Sequence, residues 1–327
     1  MVNICGLDLG MGSIKFTSME KKIEFIAQVS VFSRQKLSRM VGLSSSKSYT
    51  HIKMPSGDEF FVGRDAHTVG RPVENYGMER FSGWTGLLAL IYGVFTEYIQ
   101  RYGEFDSPIE ITCGLPIEAL NGEETKKKVS EFKNWLKAEH KWNADQKEYK
   151  AYVNDVTVTS QPAGAFFDFI LDGNGETIPE RQFAYRHEIG VISIGMNTIE
   201  LLVIQNKTIV QRFTVGCTSG VRRLLEIVND QNLYSIGELD VLLRSGGLDI
   251  TLALPIWEKE VTGQIEKYWG RTWNRFSAVL IVGGGAILLR NSLVTYFSGK
   301  AVIPDDPVKS IARGLCKLGI YQTKKHK

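Results

Sequence analysis

The chain has 327 residues, which exceeds one typical domain and predicts two domains or one large α/β unit. Hydrophobic residues make up 43% and charged residues 23% of the chain, so general disorder is excluded. The formal net charge of +3 is too small to indicate direct nucleic-acid binding, and four dispersed cysteines predict neither a disulfide framework nor a zinc site.

The apolar segments predict neither a signal peptide nor a membrane span. Asp8 interrupts the first apolar run almost at once, and no basic region precedes it. The most apolar long segment, 86–99, contains glycines and ends in charge, which is typical of a buried helix. We therefore expect a cytoplasmic protein without a membrane partner.

The first half alternates strand-like and helix-like segments, which predicts a layered α/β architecture. Glycine turns separate paired apolar runs and indicate β-hairpins. In chain order, the predicted elements are strands 2–9, 14–18, 49–54 and 60–62, helix 84–102, strand 109–113, helix 123–140 and strand 149–159.

The second half repeats the opening of the chain. The segment GVISIGMNTIE at 190–200 resembles CGLDLGMGSIK at 5–15, because each has an apolar strand, a glycine turn with a hydroxyl residue and a second strand. This repeat predicts a duplicated, two-lobed fold with a cleft between the lobes. The other predicted elements are a short helix from Gln161, strands 201–204 and 208–213, helices 220–229, 236–243 and 256–269, strand 279–282 and helix 307–321. Ser235 and Glu238 have the spacing of a capping box.

The first glycine turn has groups that suit a phosphate. Gly10 and Gly12 let backbone N–H groups approach an anion, Ser13 adds a hydroxyl, and Lys15 adds a positive charge. Asp8 would repel phosphate directly, so its use would be to hold a hydrated Mg²⁺. The alternative is an ordinary hairpin with Lys15 as a surface charge, and these residues alone leave both interpretations open.

A second glycine motif follows the apolar strand 279–282. Consecutive glycines at 283–285 let a ligand approach the backbone closely, as they do at the strand ends of nucleotide-binding sheets. The alternative is a tight turn between a strand and a helix. A triple glycine by itself is weak evidence for a ligand site.

The order of the motifs resembles the actin, sugar-kinase and heat-shock-chaperone ATPase superfamily. Its motifs here are Asp8-x-Gly-x-Gly-x-x-Lys15, Gln161-Pro-Ala-Gly, the turn near Gly195 and Val282-Gly-Gly-Gly-Ala. The compact length, CGLP at 113–116 and the closing segment 304–315 look most like bacterial and archaeal actin-like proteins of the ParM plasmid-segregation type. The resemblance covers nearly the whole chain and implies a two-lobed α/β fold of the duplicated, ribonuclease-H-like kind, with a central nucleotide cleft.

The resemblance also implies domain limits. The first lobe would span 1–160, with a small inserted subdomain at about 33–76 and the C-terminal helix 307–327 packing back on it. The second lobe would span 161–306, with a reduced insert at about 218–277.

The resemblance implies roles for particular residues. Asp8 would hold Mg²⁺ through water and take part in catalysis with Gln161, which would orient the attacking water. Without the resemblance, Gln161 would be interpreted as a solvated residue at a helix start. The residues implied in binding ATP or GTP are Gly10, Met11, Gly12, Ser13, Lys15, Ser193, Gly195, Asn197, Thr198, Gly216, Gly283, Gly284 and Gly285.

One position departs from the family pattern. The second glycine turn normally has an aspartate two residues before its glycine, and this chain has Ser193 there. Serine keeps a hydroxyl but loses the charge, so we expect nucleotide binding to persist while Mg²⁺ coupling or hydrolysis is altered. The nearest acid is Glu200, and the sequence leaves open whether it compensates.

The function implied is an actin-like ATPase that forms head-to-tail filaments and drives plasmid or DNA segregation through an adaptor protein. Its cofactors would be ATP or GTP with Mg²⁺. One alternative is a filament scaffold that binds nucleotide with weak or no hydrolysis. Another is a small-molecule kinase of the same superfamily, with Asp168 and Asp172 as candidate sugar-binding acids.

Overall fold

Apolar runs separated by turn residues form two β-sheets with helices packed against them. The computed structural model describes residues 3–31, 48–74, 77–81 and 84–325. Residues 33–47, 75 and 76 of the predicted insert therefore lie outside the described residues, as do 326 and 327 of the C-terminal segment.

The first sheet is mixed. Among the described residues its strand order is β3-β2-β1-β8-β10-β9-β5-β6-β4-β7, with β1 parallel to β8 and β8 parallel to β10. The strands are β1 (Asn3–Asp8), β2 (Ser13–Thr17), β3 (Lys22–Ile26), β4 (Val29–Val31), β5 (Thr50–Lys53), β6 (Glu59–Val62), β7 (Arg71–Pro72), β8 (Ile109–Leu115), β9 (Glu139–Ala144) and β10 (Lys147–Ser160).

The second sheet repeats the central pattern of the first: an antiparallel hairpin whose first strand pairs in parallel with a later strand. Its order is β13-β12-β11-β15-β16, and β14 pairs with β12. The strands are β11 (Ile189–Ile194), β12 (Ile199–Gln205), β13 (Thr208–Ile209), β14 (Val215–Cys217), β15 (Ala278–Val282) and β16 (Ala301–Val302).

The α-helices cover the sheets and connect them. They are α1 (Ala66–Val69), α2 (Thr85–Tyr102), α3 (Glu123–Leu136), α4 (Gln161–Ile170), α5 (Val221–Val228), α6 (Ile236–Arg244), α7 (Leu254–Trp269), α8 (Gly285–Leu288), α9 (Arg290–Tyr296) and α10 (Ser310–Lys325). Helix α4 begins at Gln161, and the capping box at Ser235 and Glu238 is formed, so both predictions are confirmed. No helix among the described residues is long and apolar enough to cross a bilayer.

Helices α4 and α10 join the two sheets. A buried apolar cluster contains Phe166 of α4, Val191 of β11 and Leu315 of α10, so it has members from both halves of the chain. Gly314 allows the close approach of α10 to α4, because a Cβ atom there would stand only 1.8 Å from the carbonyl oxygen of Gly164. One apolar core therefore connects the two halves of the chain at α4 and α10.

The structure corrects several predicted boundaries; the strand predicted over 208–213, for example, ends at Ile209. The helix predicted over 123–140 ends at Leu136, and residues 139–144 form β9 with alternating buried side chains. Asp145 and Gln146 have positive φ angles of 49° and 68°, which suits the two-residue hairpin turn that pairs β9 with β10. The last helix begins at Ser310 and not at 307.

Candidate functional site

A cleft of about 1420 Å³ lies at the ends of β1 and β11, the first strands of the two repeated units. Strands β1 and β8 are parallel, and so are β11 and β15, so each glycine turn lies at the carboxyl edge of its sheet. Open α/β sheets bind ligands at this edge. The repeat seen in the sequence therefore places two turns at one cleft.

All but two of the predicted site residues line this cleft. Gly216 lies in β14 instead, where a Cβ atom would stand 3.2 Å from Cγ of Glu118. Gly285 begins α8 and packs against Ile194. The residues brought together are Asp8, Gly10, Met11, Gly12, Ser13, Lys15, Gln161, Ser193, Gly195, Asn197, Thr198, Gly283 and Gly284.

Asp8 is the centre of a polar group at the first turn. It is only 2% exposed, and its register partner across the β1–β2 hairpin is Lys15, whose Nζ lies 3.3 Å from Oδ2. Gln161, the first residue of α4, donates from Nε2 to Oδ1 of Asp8 over 2.6 Å. Lys15 from the neighbouring strand and Gln161 from a distant part of the chain thus both contact the Asp8 carboxylate.

The two glycine turns lie against each other. A Cβ atom built on Gly12 would stand 3.0 Å from Cβ of Met196, so glycine allows this close approach. In the second turn the Gly195 N–H donates to the Thr198 carbonyl oxygen over 2.9 Å, and the Val221 N–H at the start of α5 donates to the Gly195 carbonyl oxygen over 3.0 Å. Backbone from both halves of the chain therefore lines one small region of the cleft.

The triple glycine after β15 combines a structural role with an open position. Gly283 has a φ of 92°, and a Cβ atom there would stand 2.4 Å from the carbonyl oxygen of Ile194. Gly285 is as crowded, whereas a Cβ atom at Gly284 would meet nothing within 4 Å. Gly284 is consequently the member of the three whose neighbourhood has room for a ligand.

Ser193 and Glu200 are opposite each other in the β11–β12 pairing. Ser193 lines the cleft, while the carboxylate of Glu200 is 1% exposed and accepts a hydrogen bond from the Ile117 N–H over 2.6 Å. Burial is the main cause that raises the pKa of Glu200 to about 8; the bond from Ile117 opposes this rise, and the nearby charges of Asp8 and Glu118 add to it. Glu200 is therefore largely uncharged at neutral pH and does not replace the missing aspartate charge.

A charged group at the cleft was not predicted from the sequence. Glu24 of β3 and Asp240 and Arg244 of α6 line the cleft, and Arg244 pairs with both acids. The segment KIEFI at 22–26 alternates in burial and pairs with β2, where Glu24 lies opposite Lys15. This alternation was the available signal for Glu24, whereas no local pattern pointed to Arg244.

The two acids considered for a sugar substrate have other partners. Asp168 is buried between α4 and α10 and accepts hydrogen bonds from Ser310 and Arg313, with Lys317 Nζ at 2.8 Å. Burial alone would raise the pKa of Asp168, but Arg313 and Lys317 outweigh it and hold that pKa below its ordinary value. Asp172 accepts backbone N–H groups in an exposed turn. Neither side chain lines the cleft.

Residues 6–164 match the family model "Actin like proteins N terminal domain". No curated protein sequence matches the chain significantly.

Solved structures match over nearly the full length. The apo pSK41 ParM protein has a TM-score of 0.74 at 18% identity, covering 99% of this chain and 98% of that one. A ParM from a 15-stranded Clostridium botulinum filament has a TM-score of 0.72 at 20% identity, covering 97% and 99%. Bacillus thuringiensis ParM with ATP has a TM-score of 0.68 at 14% identity, covering 99% of each chain.

These similarities confirm the predicted fold class, and at such low identity they concern the fold alone. The two sheets with their repeated strand–turn–strand units agree with them. Residues 6–164 thus correspond to the N-terminal domain of the actin-like proteins, and the chain as a whole has the actin-like fold seen in ParM structures.

Proposed function

We propose that this chain is a nucleotide-dependent, filament-forming actin-like ATPase. The observation that carries the proposal is the meeting of two glycine turns, one from each repeated unit, at a cleft that also holds Asp8, Lys15 and Gln161. The Bacillus thuringiensis ParM with ATP and the Clostridium botulinum ParM filament support nucleotide binding and self-assembly by their shared fold.

In this proposal ATP or GTP binds with its phosphates between the two turns. Backbone N–H groups of Gly10 and Gly12 would approach the phosphate oxygens, and Lys15 would supply charge. Gly195 would let the second turn lie close to them without a side chain, since its own N–H donates to Thr198. Gly283 and Gly284 would lie beside the nucleoside. Side chains of Ser13, Ser193, Asn197 and Thr198 line the same cleft and would add hydrogen bonds.

The residues present fit a Mg²⁺ ion that is completed by phosphate. Mg²⁺ keeps several waters and needs only one or two carboxylates beside the substrate phosphates. Asp8 is such a carboxylate, and no cluster of three or more His, Cys, Asp or Glu side chains suited to a metal occurs in the part of the chain that is described. When bound, the ion would neutralise phosphate charge, and Asp8 would hold it through water.

Hydrolysis would form a bond from a water oxygen to the terminal phosphorus and break the bond to the bridging oxygen. Gln161 is an amide and acts by position, not as a strong base. Its Nε2 donates to Asp8, so its Oε1 is the atom that would accept from the attacking water. Nucleotide state would affect assembly only through different affinities for the open and closed lobe arrangements.

Self-assembly would be head-to-tail, a contact that does not close on itself. By resemblance, the filament would move a plasmid or other DNA through an adaptor protein, because the net charge of +3 provides little attraction for DNA. We propose a cytoplasmic location and no membrane partner.

A filament scaffold with little hydrolysis is the second candidate function. Ser193 favours it, since the charge that the family places there is absent and Glu200 does not supply one at neutral pH. The kinase alternative gains no support from Asp168 or Asp172, because neither lines the cleft.

Light scattering, negative-stain microscopy and phosphate release with ATP, GTP and a non-hydrolysable analogue test the proposal. We expect nucleotide-dependent filaments with phosphate release, and filaments without release would favour the scaffold.

Lys15→Ala and Asp8→Ala should each weaken nucleotide binding by about tenfold or more. Ser193→Asp should change the release rate; an unchanged rate would mean that this position does not limit turnover. The absence of filaments with every nucleotide would contradict the proposal.

A further inference from the structure

Arg244 ends α6 of the second half of the chain, yet its guanidinium lies against the first glycine turn. A Cβ atom built on Gly12 would stand 3.4 Å from Nη2 of Arg244. Its Nε donates to Oδ2 of Asp240 over 2.9 Å, which holds the guanidinium in the cleft wall. With 31% of its side chain exposed, Arg244 is still accessible from the cleft.

Glu24 is the other partner of Arg244, and it collects several donors. Nη1 of Arg244 donates to Oε1 of Glu24 over 3.0 Å, and Ser13 Oγ donates to the same oxygen over 3.1 Å. Nζ of Lys309 lies 3.8 Å from Oε2. The Glu24 carboxylate is therefore the partner of one hydroxyl and two cations. Hydroxyl groups and cations are also the kinds of group that bind phosphate oxygens.

A phosphate that entered between the glycine turns would compete with Glu24. Both are anions that accept hydrogen bonds from the same donors, and like charges in a partly buried cleft repel each other. Arg244 has the fork of donors that suits phosphate, and its distance to the Gly12 turn requires no large movement.

We propose that Arg244 is a phosphate-binding residue contributed by the second half of the chain, with Glu24 as its counter-ion when no nucleotide is bound. The phosphates of a nucleoside triphosphate displace the Glu24 carboxylate from Arg244 and Ser13. This inference rests on the proposed nucleotide site. It adds a side chain that contacts the phosphates from the opposite lobe.

The competing explanation is that Arg244 and Glu24 form an ion pair that only holds the lobes together. The two explanations predict opposite signs for Glu24→Gln. If Glu24 competes with phosphate, removing its charge strengthens triphosphate binding. If the ion pair only holds the lobes together, Glu24→Gln weakens triphosphate binding, as Arg244→Gln does.

Calorimetry with the full chain tests the inference, using ATP and GTP and the corresponding monophosphates and nucleosides, with Mg²⁺ and with chelator. We expect Arg244→Gln to weaken triphosphate binding by about tenfold or more and to leave nucleoside binding unchanged. Arg244→Lys should lose less, and Glu24→Gln should strengthen triphosphate binding several-fold. Arg223→Gln is the matched control, because Arg223 pairs with Glu260 outside the cleft lining.

The outcomes separate this inference from the function on which it rests. If the wild-type chain binds no nucleotide, both proposals are overturned. If the wild-type chain binds and Arg244→Gln binds equally well, only this inference is overturned. Weaker triphosphate binding by Glu24→Gln would likewise overturn the inference and favour an ion pair that only holds the lobes together. Thermal unfolding of each variant shows whether its fold is intact.

Discussion

Two acids stand beside the cleft in different surroundings. Asp8 has Lys15 and Gln161 as partners. Glu200 is buried and accepts a hydrogen bond from the Ile117 N–H, but desolvation outweighs that bond and its pKa rises to about 8. Two carboxyl groups near one cleft therefore have different surroundings, a lysine and an amide at Asp8 and a buried site with a backbone donor at Glu200.

The raised pKa of Glu200 predicts a pH-dependent stability. Between about pH 4.5 and 8 the unfolded chain releases a proton that the folded chain keeps, so Glu200 lowers the free energy of unfolding increasingly as the pH rises. Glu200→Gln keeps an acceptor for Ile117 without titrating. We expect the Tm of this variant minus that of the wild-type chain to increase from about pH 5 to 8, measured without nucleotide or Mg²⁺.

Half-buried Glu226, which pairs with Arg222 on α5, provides the control Glu226→Gln. A Tm difference between Glu200→Gln and the wild-type chain that stays constant across this pH range would contradict the assigned protonation of Glu200.

At the scale of elements, the turn between β15 and α8 shows how three identical residues differ in their surroundings. A Cβ atom on Gly285 would stand 2.2 Å from Cγ2 of Ile194. Gly284 has helical φ and ψ angles of −64° and −37° and open space where a side chain would begin.

We therefore expect Gly285→Ala to lower the free energy of unfolding by about 1–3 kcal/mol through overpacking. Gly284→Ala should change it by less than about 1 kcal/mol, because alanine accepts its backbone angles. If the nucleoside lies over this turn, Gly284→Ala should nevertheless weaken nucleotide binding. Urea unfolding and calorimetry measure the two effects, and an equal loss of stability in both variants would contradict the described packing.

At the scale of the whole molecule, the two halves also meet at the start of α6. Gln28 Nε2 donates to the Gly237 carbonyl oxygen over 2.7 Å, and the Gly237 N–H donates to Glu74 over 3.1 Å. The His67 ring lies 3.3 Å from Ser235 Oγ. These contacts and the core around α4 and α10 hold the cleft at two separate places.

A larger side chain at the start of α6 should disrupt this contact. A Cβ atom on Gly237 would stand 2.4 Å from the His67 ring, so Gly237→Leu should separate the two halves there. We expect a larger radius of gyration by X-ray scattering with nucleotide present and a several-fold faster release of a fluorescent nucleotide. Gly263→Leu on α7 is the control, because a Cβ atom there meets nothing within 4 Å. Unchanged values in both measurements would exclude this contact as a restraint on the cleft.

Much of the fold followed from local patterns. The hairpin at the first glycine turn, the start of α4 at Gln161 and the capping box of α6 each depend on a few neighbouring residues. The boundary at Leu136 was predicted wrongly, because lysine-rich helix signal continued into a segment whose strand pairing is decided by its neighbour β10.

The sequence by itself determined where backbone turns and buried strands occur, since those preferences act over a few residues. Only the tertiary structure decided which charged side chains meet. Arg244 and Glu24 are 220 positions apart, and Asp168 is neutralised by residues of α10 more than 140 positions away. The protonation of Glu200 likewise depends on burial between the two halves. Electrostatic partners and desolvation arise from packing between distant segments, which no local pattern encodes.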